Sequence, residues 1–225
     1  MFAASSLCLE DLDEFHEIDS YFNHIRAWIA SLEPPVWPYD LDEEKVTRGR
    51  EVFKVVCSGC HGEYGATRDE ESYPNLVIPL EEIGTDPLLL TFEERFVEAL
   101  GPWFAQTWMV ESNYLTQNGG YMAPPLDGIW ITAPYLHNDS VPSLQALLNS
   151  PTRPTYWRRA SQDSADFDIE RVGWRVIEVD EGKEAGAPVE VYDTTRVGYY
   201  NTGHLYGDRL TDSQRLDLIE YLKTL

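Results

Sequence analysis

The sequence predicts a mainly α-helical domain with loop-rich insertions and a small β-hairpin. Three observations carry that expectation. An amphipathic helical stretch runs straight into the pentapeptide Cys57-Ser58-Gly59-Cys60-His61, a second amphipathic stretch closes the chain, and the long segment between them is rich in turn residues and short alternating runs. With 225 residues, 43% of them hydrophobic, the chain is long enough for one sizeable core.

Taken in order, residues 10–33 place Leu12, Phe15, Ile18, Phe22, Ile25, Trp28, Ile29 and Leu32 close to a 3.6-residue period, and Pro34-Pro35 stops the run. His16 and His24 on this helix are expected to be solvated or interface residues. Pro34 to Pro38 forms a stiff connector. Asp42-Glu43-Glu44 then opens a helix over 43–56, with acids where the helix dipole favours them. Within it Gly49 and Phe53 are four apart on one face, so a crossing helix can approach closely, with Tyr221 the expected contact. Shorter helices are expected at 91–100 and 142–149. Around Asp180-Glu181-Gly182 the alternation of apolar and polar residues predicts a β-hairpin from 172–179 and 188–192. Thr211 with Gln214 forms a capping-box pattern, and Leu210, Leu218, Ile219 and Leu222 give the last helix, 211–224, its buried stripe.

The spacing Cys-X-X-Cys-His is that of covalent haem attachment, with two thioethers at Cys57 and Cys60 and His61 as an axial ligand of the iron. Zinc is the competitor. A closed zinc site wants four ligands, and His61, adjacent to Cys60, does not easily share a tetrahedron with both thiols. The expected cofactor is therefore one covalently attached haem c. Its sixth ligand has three candidates: His204 in Asn201-Thr202-Gly203-His204, His137 in Ala133-Pro134-Tyr135-Leu136-His137-Asn138, and Met122 in Tyr121-Met122-Ala123-Pro124-Pro125. Position shortly before the closing helix favours His204. His137 is more readily a supporting histidine bonded to a propionate or a backbone carbonyl, and Met109 reads as core. If no side chain filled the sixth position, Trp130 or Tyr135 would be the distal residues to consider.

The order of elements, a helix leading into the motif and a helix closing on it, resembles a class I c-type cytochrome. The blocks GYMAPPLDGIWITAPYLHNDSVPSLQALLN from Gly120, IGTDP from Ile83, TTRVGYYNTGH from Thr194 and the closing LTDSQRLDLIEYLKTL resemble bacterial di-haem cytochromes c of the cytochrome c peroxidase superfamily, nearest to the C-terminal haem domain of the rubber oxygenase branch. That resemblance implies an iron held by His61 and His204 that exchanges electrons with a second haem. This chain has one haem motif, so the enzymatic activity of that family is not carried over with it.

Two regions are expected: 1–38, an N-terminal helix and Pro-rich connector that looks like the end of an upstream haem domain, and 39–225, a c-type cytochrome domain. The expected function is single-electron relay to a second redox centre or a redox partner protein. The alternative is a haem peroxidase or oxygenase with an open iron site. A formal charge of −22, from 39 acidic against 17 basic residues, excludes nucleic acid and favours a partner with a basic docking surface. No apolar run approaches the roughly 20 residues of a membrane span. Haem attachment to such a motif takes place outside the cytoplasm, so a periplasmic or extracellular location is expected although the chain shows no export signal. Cys8 has no internal partner among 3 cysteines.

Overall fold

Each long helix begins where the sequence sets a capping residue before an apolar stripe. The computed structural model describes residues 21, 23–65, 67, 70–91, 95, 98–99, 102, 119–182 and 191–225. The chain divides into two units by its contacts, one of residues 1–35 and 97–116, the other of residues 36–96 and 117–225. In the first unit, residues 23–30 form α1, closed by Ser31, whose Oγ donates to the Trp28 carbonyl at 2.7 Å. Tyr21, Ile25, Trp28, Ile29 and Leu32 are all exposed, as is His24. Of the expected helix at 10–33, residues 31–33 have left the helix, and residues 10–20 and 22 lie outside the described residues, as do Cys8, His16 and Met109.

The second unit is organised by two crossing helices, α2 (Glu43–Val56) and α6 (Asp212–Leu222). Asp42 caps α2 through a 3.1 Å bond from the Lys45 amide, and its own amide donates to Glu220 of α6 at 2.9 Å. Thr211 and Gln214 close a complete capping box on α6. At the crossing a side chain on Gly49 would run into the Asp217 carbonyl, so only glycine lets the backbones meet there. Phe53 and Tyr221 pack with ring centroids 5.3 Å apart, and Arg48 grips the buried Asp217 carboxylate with two 2.9 Å bonds. The small-residue contact expected at Gly49, Phe53 and Tyr221 is thus present. Leu218, Ile219 and Leu222 are buried, joining Val141, Leu144 and Val172 in the core.

Between these helices the chain makes short pieces. They are α3 (Ser58–His61), β1 (Val77–Pro79), α4 (Leu80–Ile83), β2 (Gly120–Met122) and α5 (Leu144–Leu147). Among the described residues there are seven short strands, which include β3 (Tyr156–Arg159), β4 (Phe167–Asp168), β5 (Gly173–Trp174), β6 (Val176–Glu178) and β7 (Tyr192–Asp193). Of the helix expected at 91–100, residues 91, 95, 98 and 99 are described and helical, and the others lie outside the described residues. The helix expected at 142–149 is shorter, because Ser143 is its cap and Asn149, at φ −145°, leaves helical geometry ahead of Pro151.

Of the hairpin expected from 172–179 and 188–192, residues 188–190 lie outside the described residues, and the described ones form a different sheet. β3 inserts between β6 and β7, pairing antiparallel with both, while β5 turns away to pair with β4. Alternation around a turn marks two strands but not which third strand separates them, and Tyr156-Trp157-Arg158-Arg159 supplies the apolar Trp157 that stacks on Tyr192 at 5.0 Å.

Candidate functional site

Cys57 is at once the C-cap of α2 and the N-cap of α3. Its amide donates to the Phe53 carbonyl at 2.8 Å, and its carbonyl accepts from the Cys60 and His61 amides at 3.1 and 3.0 Å. Two cysteines and a histidine are thereby fixed on one tight turn anchored to the main helix crossing. Gly62, at φ 88°, ends the turn where a side chain would collide with the Ser72 carbonyl. Both thiols are unpaired, and burial, reinforced by Cys60, pushes the Cys57 thiol up to about 12. Without a bound group it is therefore a protonated sulfur at neutral pH. Among the described residues no three of His, Cys, Asp and Glu gather as metal ligands.

The His61 ring is oriented by its Nδ1, which lies 2.8 Å from the Pro124 carbonyl. A carbonyl can only accept, so Nδ1 carries the proton and Nε2 presents its lone pair. Burial lowers the His61 pKa, with the Pro124 bond opposing, and the ring is neutral at pH 7.

The His204 and His61 ring centroids lie 6.2 Å apart, with the ring planes inclined by 59°. Two metal–imidazole bonds of about 2 Å, with roughly 1.1 Å from ring atom to ring centre on each side, span about 6 Å, so the centroid spacing matches that of two imidazoles sharing one metal ion. Burial pushes the His204 pKa down to about 4, helped by the nearby His61 and Arg153 charges, so this imidazole too is neutral, as a ligand must be. Its Nδ1 is buried and reaches no other residue. Two neutral imidazoles in opposition beside two free thiols form a donor set that fits a covalently attached haem.

His204 stands in the left-handed backbone region, at φ 49°, directly after Gly203 at φ 76°. Gly203 packs so closely on Ile83, Gly84 and Thr85 that no side chain fits there. The His204 amide donates to the Ile83 carbonyl at 2.8 Å and Thr202 Oγ1 to the Gly84 carbonyl at 3.1 Å. Deeper in, the Arg153 guanidinium donates to the carbonyls of Asn201 (2.6 Å), Gly203 (2.8 Å) and His204 (3.3 Å), and also to Ala146 and Leu147.

The other candidates lie elsewhere. His137 stacks on Tyr121 with centroids 3.9 Å apart and bonds to the Asp86 backbone, at a cleft of about 480 Å3 that it lines with Asp86, Leu88, Arg95 and Asn138 and without His61 or His204. Met122 is 54% exposed on β2. The loop containing Met122 serves His61 instead, through the Pro124 carbonyl. Trp130 is buried edge-on to Trp37 at 5.2 Å, and the Tyr135 hydroxyl donates to the Ile129 and Val172 carbonyls, so both are engaged in the core. Pro124, Arg153 and Asp86 escaped the reading of the sequence. Arg153 between Pro151 and Pro154 offered no pattern, since its partners are backbone carbonyls that any residue carries.

A family model described as RoxA-like, cytochrome c-like matches residues 120–158. This stretch is RoxA-like and cytochrome c-like, and a domain of that kind implies binding of haem c. It contains Pro124, His137 and Arg153. Two proteins of Sinorhizobium fredii are also similar: "Uncharacterized protein y4iJ", 31% identical over 87% of this chain and 42% of its own length, and "Uncharacterized protein y4iM", 27% identical over 89% of this chain and 53% of its own length. The chain spans about half the length of these curated relatives. Among the described residues no helix is long and apolar enough to cross a membrane.

Proposed function

We propose that residues 39–225 form a class I cytochrome c-like domain carrying one covalent haem c between His61 and His204, and that it relays single electrons. The observation that carries this reading is the opposed pair of neutral imidazoles at 6.2 Å beside Cys57 and Cys60. A haem held by two imidazoles supplies a one-electron couple with no open position for a substrate.

The chain's own residues do the positioning. Pro124 keeps the Nδ1 proton of His61 and leaves Nε2 free, while the α2–α6 crossing fixes the turn that presents both thiols. Burial keeps both imidazoles neutral. The formal charge of −22 steers a cationic redox protein to the surface, and a periplasmic or extracellular setting matches the way such haems are attached. The RoxA-like match supports kinship with the rubber oxygenase branch of the di-haem cytochrome superfamily, the second redox centre lying in a partner or in a further domain.

The test is addition of cyanide and of hydrogen peroxide to the ferric holoprotein. Relay through a filled iron gives an optical spectrum unchanged by either. A prompt shift with both reagents supports the peroxidase or oxygenase alternative.

A further inference from the structure

The loop that ends in His204 has no regular secondary structure over residues 200–205, yet it must place an imidazole to within a fraction of an ångström of its working position. Two buried or largely buried ionic side chains grip it from opposite chemical directions. Asp86, only 1% exposed, accepts from the amides of Gly198 at 2.7 Å and Tyr200 at 3.2 Å, and from Leu88 at 2.8 Å. Arg153 donates to the carbonyls of Asn201, Gly203 and His204. The anion therefore takes the loop's N–H groups and the cation its C=O groups, over seven consecutive residues, 198–204. No ion pair between Asp86 and Arg153 is present among the described residues; Asp86 is met by backbone N–H groups with His137 nearby, and Arg153 by backbone carbonyls with the Asp208 charge nearby. Asn138 fills the gap, donating through Nδ2 to the Gly198 and Tyr200 carbonyls at 3.3 and 3.0 Å.

Resting on the reading of His204 as an iron ligand, we propose that Arg153 is the positioning residue of that ligand, with Asp86 as its counterpart at the other end of the loop. A guanidinium suits the task because its planar fork presents five donors at fixed angles, and all five are aimed at carbonyls here: Ala146 and Leu147 on the stationary side, Asn201, Gly203 and His204 on the loop. Arg153 thus bolts the loop to the end of α5, in the buried core. A lysine keeps the charge but has one nitrogen, which cannot span both sides. Because His204, a non-glycine residue, occupies a left-handed backbone conformation, the loop has a conformational cost to offset, and release of Arg153 lets the ligand swing away.

The experiment compares ferric holoproteins carrying Arg153→Lys, Arg153→Gln, His204→Ala and, as a control of stability alone, Leu144→Ala in the core. Optical and EPR spectra are read together with the rate of cyanide binding. Positioning predicts that both Arg153 variants gain a high-spin fraction and bind cyanide faster by roughly 10- to 100-fold, the scale on which groups supporting a metal ligand act. Leu144→Ala stays low-spin however far its melting temperature falls. If Arg153→Gln fails to take up haem, Arg153→Lys decides alone. Low-spin, cyanide-inert Arg153 variants alongside a high-spin His204→Ala overturn the positioning role and leave the ligand assignment standing. A low-spin His204→Ala overturns both.

Discussion

On the His61 side, both thiols and the imidazole sit within five consecutive residues on a helical turn, and a single carbonyl, from Pro124, sets the ring. On the His204 side, the imidazole ends an irregular loop whose shape depends on Ile83, Asp86, Asn138 and Arg153, drawn from three distant stretches. In the first arrangement the donors are gathered locally, and only the Pro124 carbonyl and the α2–α6 crossing reach them from elsewhere. The second is a tertiary construction that exists only when the whole unit is folded. Their roles in an iron site would differ accordingly: the His61 side is the fixed plate, and the His204 side is where sequence changes tune or free the sixth position.

The comparison can be broken hardest at Asp86. Asp86→Ala leaves three amides without an acceptor in a buried setting and should cost roughly 3–5 kcal/mol by urea unfolding, with the ferric spectrum of the holoprotein turning partly high-spin. Retention of both stability and a low-spin spectrum would mean the loop is shaped from elsewhere.

Acid acts on the same side next. His204 has a folded pKa of about 4, below its ordinary value of 6.5, so the folded protein binds fewer protons in that window. The stability tied to this ring is fully present above pH 6.5 and is lost as pH falls through 4, a change on the order of 2–3 kcal/mol. A metal on the ring moves the lower edge further down and keeps the sign. Denaturation midpoints measured between pH 7 and 4 should fall, and His204→Gln should flatten the slope.

The His61 side is reached through its support. Gly49→Ala forces a methyl group into the Asp217 carbonyl and should destabilise by about 1–3 kcal/mol without altering the sixth position, so that the surviving folded protein remains low-spin. Gly59→Ala, where a side chain meets open space, should change stability by less than about 0.5 kcal/mol. An equal loss at both positions would show that the turn, and not the helix crossing, limits this side.

This contrast also explains what could be read in advance. The Cys57-to-His61 turn, the two long helices and their meeting at Gly49, Phe53 and Tyr221 follow from short-range spacing, capping residues and a 3.6-residue period, and all are visible in the chain. His204 could be placed only by its distance from the closing helix. Its supports were illegible, because Arg153 and Asp86 act on backbone groups, which leave no signature in side-chain pattern. The sheet failed for a related reason. The pairing of β3 between β6 and β7 is a choice among strands of equal local quality, decided by Trp157 stacking on Tyr192 across the chain. The stretch Tyr121-Met122-Ala123-Pro124-Pro125 was the converse case: it drew notice for the Met122 side chain, while the contact it makes to His61 runs through the Pro124 carbonyl.

The opposition of His61 and His204 is tested most directly by the EPR spectrum of the ferric protein before and after His204→Ala. A low-spin signal in the parent that gives way to a high-spin axial signal in the variant is the expected result. A variant that stays low-spin, with the high-spin change appearing instead in His137→Ala or Met122→Ala, would contradict it.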